Sequence, residues 1–232
     1  MIEQWGTVLA VMGMLAATLV AAAVANRYQA HQARVRETVR RMDSGISALN
    51  DALSALSRVP LSRELRLVLR GEVVARCRRV RALARRTPGI DERIRAAESA
   101  LQAEGGTPPG GVGPIENEQA FRRLTAAFDD LLAVLQQGRL VQPVPADVRG
   151  IFVRELGERR AEVLARFHLI ESHRREEAGD LLRARAHITT LMHGLRQRGP
   201  STDFVRELYR EAESALSGLS QRHVGTPAEA TG

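Results

Sequence analysis

The run TVLAVMGMLAATLVAAAVA, residues 7–25, holds nineteen consecutive positions without a charge. At the helical rise that length matches a hydrocarbon core of about 30 Å. Inside lipid the backbone must satisfy its own hydrogen bonds, so such a run can only be a helix. Trp5 and Tyr28 flank it, as interfacial aromatic anchors do. Only Glu3 precedes the run, whereas Arg27, Arg34, Arg36, Arg40 and Arg41 follow it. The positive-inside rule then expects residues 1–6 outside and the long remainder in the cytoplasm, beneath an inner (cytoplasmic) membrane crossed once. The rival reading is a leader cleaved after Ala23-Val24-Ala25, with a periplasmic domain. A leader carries its positive charge before the apolar stretch and not after it, so an uncleaved anchor is the expectation. Gly13, Ala17 and Ala21 repeat every four residues, a spacing that lets two membrane helices approach. In a stretch so rich in Ala it argues only weakly for a dimer.

Beyond Tyr28 the apolar pattern becomes regular. Val35, Val39, Met42, Ile46, Leu49, Leu53 and Leu56 alternate steps of four and three, which is a heptad seam. With Val39, Ile46 and Leu53 at position a, branched residues dominate a and Leu or Met most d sites, as in a parallel two-stranded coil. The flanking positions oppose that. Thr38, Gly45 and Ala52 at g, with Arg36, Asp43 and Asn50 at e, build no charge ladder. Small residues there widen the apolar face and invite further helices of the same chain. A homodimeric coil and an intramolecular bundle both remain open.

Further on, the breaks are Pro60, Thr87-Pro88-Gly89, the stretch 105–114 (GGTPPGGVGP), Gly138, Gly179 and Gly199-Pro200. Between them run helical seams. Leu65, Leu69, Val73, Cys77, Val80 and Leu83 mark a helix that Ser62 can cap and that ends near Arg86. A shorter helix is expected over 91–104, with Ile94, Ala97 and Leu101 inward, and another on Phe121, Leu124, Phe128, Leu131 and Leu135. A long one over 146–174 uses Val148, Ile151, Leu156, Val163, Phe167 and Ile170. Leu181, Ala184, Ile188, Leu191 and Leu195 then mark a helix that is either continuous with it or folded back near Gly179. The last helix, capped by Ser201 or Thr202, turns Phe204 or Val205, Leu208, Ala212, Ala215 and Leu219 inward. No strand pattern competes. The expected fold is all-α: one membrane helix, 7–25, then a cytoplasmic helical bundle, with a coiled-coil-like first helix or a short helical solenoid as variants. Its parts are a helical segment over 26–104, a Gly/Pro linker over 105–114, a bundle segment over 115–222 and a disordered tail over 223–232.

Chemistry is sparse. All 34 basic residues are Arg and the net charge is +7. Arg, Ala, Gly and Leu are abundant together along the chain, which reads as compositional bias of the coding genome. Without Lys there is no P-loop, and without strands no dinucleotide fold. The prolines of 105–114 remove amides that a phosphate cradle would use. One cysteine, Cys77, excludes an internal disulfide and a cysteine zinc site. It is expected to be a small core residue. His31, His168, His173, His187, His193 and His223 form no metal-binding spacing. His168 and Glu171 are expected to pair incidentally on a surface. No catalytic residue, cofactor or metal is expected.

The strongest charge feature is RCRRVRALARR, residues 76–86, on which Arg78, Arg81 and Arg85 share a helix face. Paired with acidic neighbours it is a solvated face. Beside a membrane it is an anionic-lipid contact, together with Arg27, Arg34, Arg36, Arg40 and Arg41. Nucleic acid is the weaker partner, because no stacking aromatics accompany these arginines. The architecture is similar to many bacterial anchored helical scaffolds, a likeness too general to transfer any residue's role. The expected function is a non-enzymatic, membrane-anchored scaffold that recruits a protein complex, with a homodimer possible. A tethered nucleic-acid binder, or an enzyme without a recognisable motif, is the alternative.

Overall fold

Helix punctuation decides the architecture. A computed structural model describes residues 2–84, 87–105, 113–138 and 140–224, without the side chains of 2–11, 15–17, 105 and 222–224. Among the described residues there are seven α-helices and no strand. They are α1 (Ile2–Ala55), α2 (Arg63–Leu83), α3 (Ile90–Gln102), α4 (Glu118–Gln136), α5 (Ala146–Glu177), α6 (Leu181–Arg198) and α7 (Asp203–Val224). Short 3-10 turns, Leu56–Arg58 and Ala103–Gly105, extend α1 and α3. Of the expected linker, 106–112 lie outside the described residues. Of the expected tail, 223–224 continue α7 and 225–232 lie outside.

The helix ends follow local chemistry. Ser62 Oγ accepts from Leu65 N, Asn117 Oδ1 from Ala120 N and Asp180 Oδ1 from Arg183 N. Each of these contacts satisfies an amide that the first helical turn leaves unpaired. Thr202, not Ser201, caps α7 by accepting from Val205 N. The backbone at Gly179 has φ 76°, a left-handed conformation that glycine adopts without strain. It folds α5 and α6 into a hairpin, which resolves the alternative of one bent helix. α5 accordingly reaches Glu177 rather than stopping at 174. α2 ends at Leu83, earlier than the expected Arg86, because Ala84 O is taken by Thr87 through both its amide and its hydroxyl.

α1 is continuous over 54 residues, so nothing interrupts the chain between the uncharged run and the seam. The expected span 7–25 is helical throughout, and the side chains of 7–11 and 15–17 within it lie outside the description. Among the described residues no helix is long and apolar enough to cross a membrane. Met12, Met14, Leu19, Val20 and Val24 of this run are all more than 60% exposed. Further along α1, Ile46, Leu49, Ala52, Leu53 and Leu56 are buried, and α2 and α4 of the same chain cover them. The wide face made by the small g residues is therefore filled within the chain. Gly45 lies close against α2: a Cβ there would lie 3.0 Å from Arg76 Nη1.

Two buried clusters share one helix. The first joins α1, α2, α3 and α4 to Phe152, Leu156 and Val163 of α5, and so draws on both sides of 105–114. The second joins Ala161 and Ala165 of α5 to α6 and α7. Ile151 and Ile170 of α5, expected inward, are exposed. The buried stripe instead follows Phe152, Leu156, Val163 and Phe167, and both isoleucines fall off it. Val205 rather than Phe204 is the buried residue of the last helix.

Polar ties hold the first cluster together. Glu155 of α5 accepts from both the amide and the hydroxyl of Ser62. Glu72, only 1% exposed, takes Arg76 Nε on one carboxylate oxygen and Val141 N on the other. It thereby pins the 140–145 connection to α2. Cys77 is buried as expected, and burial raises its thiol pKa, with Asp43 acting in the same direction and Arg93 against it.

Candidate functional site

α2 folds back along α1. Arg76 Nη1 donates to Gly45 O at 3.4 Å, and the end of α2 with its following turn reaches much earlier residues of α1. The result is a cleft of about 910 Å³ whose walls include His31, Val35, Val39 and Arg40 of α1, with Leu83 and Pro88 opposite. His31 lies six residues past Ala25, about 9 Å along a helix axis. The cleft therefore begins about 9 Å along the helix from the end of the uncharged run. Arg27, Arg34, Arg36, Arg40 and Arg41 are all exposed. Arg41 is paired to Glu37 at 2.8 Å.

The second basic cluster is differently placed. Arg78 pairs with Glu98 at 2.7 Å and Arg81 with Asp91 at 3.2 Å, both carboxylates coming from α3. Glu104 holds Arg66 and Arg70, and Glu72 holds Arg76. Arg85 lies outside the described residues. The exposed pairs add little stability, about 0–1 kcal/mol each, but they offset positive charge that a phosphate surface would otherwise meet. The amphipathic spacing of α3 placed its acids opposite these arginines, and sequence spacing within α2 alone could not register that.

A second recess opens between three helices. α4 and α6 both pack on α5, and the trough between them has a volume of about 450 Å³. α4 supplies Phe121, Thr125 and Asp129, spaced by four along one face. α5 forms the floor with Arg160, Ala161, Leu164 and His168, and α6 supplies His193 and Arg198. α4 runs antiparallel to α5, because Phe121 stacks on Phe167 at 4.1 Å while Asp129 pairs with Arg160 at 3.0 Å. Gly194 lets α6 settle onto α5, since a Cβ there would lie 2.6 Å from Leu164 Cδ2.

The two ends of this trough differ. At one end His168 is buried, edge-on to Phe121 and Phe167, with its Nδ1 3.2 Å from His187 Nδ1. One ring must donate and the other accept. Burial, with His187 adding to it, lowers the His168 pKa to about 4. The expected surface pairing of His168 with Glu171 does not occur. Glu171 holds Arg174 instead, and His168 faces inward because Ala184, Ile188 and the α6 backbone close over this side of α5. At the other end Arg160 is 13% exposed. Burial lowers its pKa, Asp129 opposes that, and Arg198 adds to it. Among the described residues, no group of three or more His, Cys, Asp or Glu side chains could hold a metal ion.

The periodicity of any one helix does not reveal the trough. Its residues come from three helices separated by two turns, and each contributes a stripe beside the buried one. The available signal was the mixed stripe Gly157, Arg160, Ala161, Leu164 and His168, which keeps helical spacing without being either uniformly apolar or uniformly charged. No protein-family model, curated protein or solved structure matches the chain.

Proposed function

We propose that the chain is a single-pass, membrane-anchored helical scaffold whose domain organises a protein complex at the cytoplasmic face of the inner membrane. One observation carries this reading: a continuous helix, Ile2–Ala55, takes the uncharged run directly into the domain's core seam. The described large apolar side chains of that run are mostly exposed, and leaving them in water would be unfavourable at about 25 cal/mol per Å². A bilayer removes that cost. The arginines following the run fit the cytoplasmic orientation and a contact with anionic headgroups. Nucleic acid is disfavoured, because α2, which carries the strongest basic stretch, spends Arg66, Arg70, Arg76, Arg78 and Arg81 on carboxylates of its own chain.

Reporter fusions at the C-terminus test the orientation. A cytoplasmic reporter is expected to be active and a periplasmic one silent, and the reverse pattern overturns the topology. Purification of the full chain from detergent tests the scaffold role. A stoichiometric protein partner is expected, and recovery of the chain alone at every ionic strength overturns it.

A further inference from the structure

The three-helix trough has a direction. Arg160 and His168 lie eight residues apart on α5, which is about 12 Å along the helix axis. The Arg160 end collects two guanidiniums, Arg160 and Arg198, around one carboxylate, Asp129. Asp129 is half-exposed and already bonds Arg160, while Arg198 has no carboxylate partner among the described residues. One positive charge is therefore left over beside a guanidinium held out of water. The middle is walled by Ala161 and Leu164, and the far end by Phe121. There His168, neutral above its lowered pKa, adds no second charge.

The geometry points to a binding site for a small organic monoanion with an apolar body, its anionic group between Arg160 and Arg198 and its body along Leu164 toward Phe121. A volume of about 450 Å³ lies within the usual range for small-molecule sites, which combine apolar walls with a few convergent polar groups. Planar guanidiniums suit a carboxylate, which each can bind through two parallel hydrogen bonds. The ligand arrives from water rather than from the bilayer, a point that rests on the membrane reading. The centre of α4 lies beside Asp51 and Ala55 of α1, and Asp51 is about 40 Å along the helix from the end of the uncharged run. This site is separate from the scaffold role, and either can fail without the other.

The test uses the full chain in nanodiscs of zwitterionic lipid, with calorimetric titration of cinnamate and of its uncharged counterpart cinnamamide. Empty nanodiscs are the control. Cinnamate is expected to bind at one site with a Kd below about 1 mM, and cinnamamide at least about ten-fold more weakly, the value of a charged hydrogen bond. Arg198→Gln, on an exposed side chain, is expected to lose that ten-fold for cinnamate only. Arg196→Gln, on the same last turn of α6 but outside the trough, should change nothing. Asp129→Asn should tighten cinnamate binding, because it removes the competing carboxylate. Equal affinity for the acid and the amide overturns the site, as does an Arg198→Gln variant that binds cinnamate unchanged. Oleate in the nanodisc is expected to leave cinnamate bound. Displacement by oleate overturns the water-borne source.

Discussion

The carboxylate of Glu72 accepts a hydrogen bond from the backbone N–H of Val141 at 2.8 Å. Its other oxygen holds Arg76 at 2.6 Å, and Arg76 is itself largely buried. Removing the carboxylate leaves the Arg76 guanidinium without its counter-ion and the Val141 amide without its acceptor. Glu72→Ala is expected to destabilise the chain by about 3 kcal/mol, the typical result of breaking a buried pair from one side. Glu72→Gln, which retains an acceptor, should cost less. Denaturant unfolding measures both, and equal stabilities would show that the tie to 140–145 is dispensable.

A pH dependence follows from His168. Its pKa falls from 6.5 in the unfolded chain to about 4 in the fold, so the folded state prefers the neutral ring. The unfolded chain binds the proton first as pH drops, and stability is lost between those two values. Above 6.5 the contribution is complete, and below about 4 the loss is complete. The groups facing this ring are His187, Phe121 and Phe167. The loss should approach about 3 kcal/mol. His168→Gln should flatten the profile of unfolding free energy over that window, and an unchanged slope would assign the acid sensitivity elsewhere.

Two glycines of α6 and its exit should respond differently to the same methyl group. At Gly199 a Cβ would lie 2.5 Å from the backbone oxygen of Leu195 and 2.8 Å from Val205. The carbonyl cannot turn aside, so Gly199→Ala should cost about 1–3 kcal/mol. At Gly194 the obstacle is the end of the Leu164 side chain, which can rotate, and Ala improves helix propensity by about 1 kcal/mol. Gly194→Ala should therefore be close to neutral. Thermal melts of the two variants give the comparison, and the reverse order would show that the Leu164 side chain cannot give way while the backbone at Gly199 can.

The lipid contact can be divided between the two basic clusters. Each basic residue near an anionic surface contributes about 1 kcal/mol, so changing Arg34, Arg36 and Arg40 to Gln should lower vesicle binding of residues 27–224 about a hundred-fold. Changing Arg78, Arg81 and Arg85 should do much less, because Glu98 and Asp91 already offset Arg78 and Arg81. Sedimentation with anionic vesicles at several salt concentrations reads both. A larger effect from the second set would mean that α3 releases those arginines at the membrane.

Local rules were legible in the sequence, and convergence was not. Pro60, Gly138 and Gly179 marked real turns, because their backbone preferences act wherever they sit. The seam from Ile46 to Leu56 was legible as an apolar face, and its small neighbours correctly pointed to helices of the same chain as one solution. Ile151 and Ile170 fit the helical spacing yet lie outside the core, because α5 is long enough for more than one apolar stripe to fit its pattern. Only the packed neighbours choose between them. The pairing of Arg78 and Arg81 with α3, the meeting of His168 with His187, and the trough around Arg160 each require the relative rotation of separate helices. A single-helix periodicity does not contain that angle.

Because α5 completes the first core as well as the second, the order of synthesis matters. Phe152, Leu156 and Val163 belong to the same buried cluster as Ile46, Leu49 and Leu56, and they are made about a hundred positions later. A nascent chain emits the uncharged run and the seam long before their cover exists, and translation proceeds at roughly 5–20 residues per second. For several seconds the growing chain carries an open apolar groove. Whatever shelters that groove on the ribosome acts before the protein has a native surface at all.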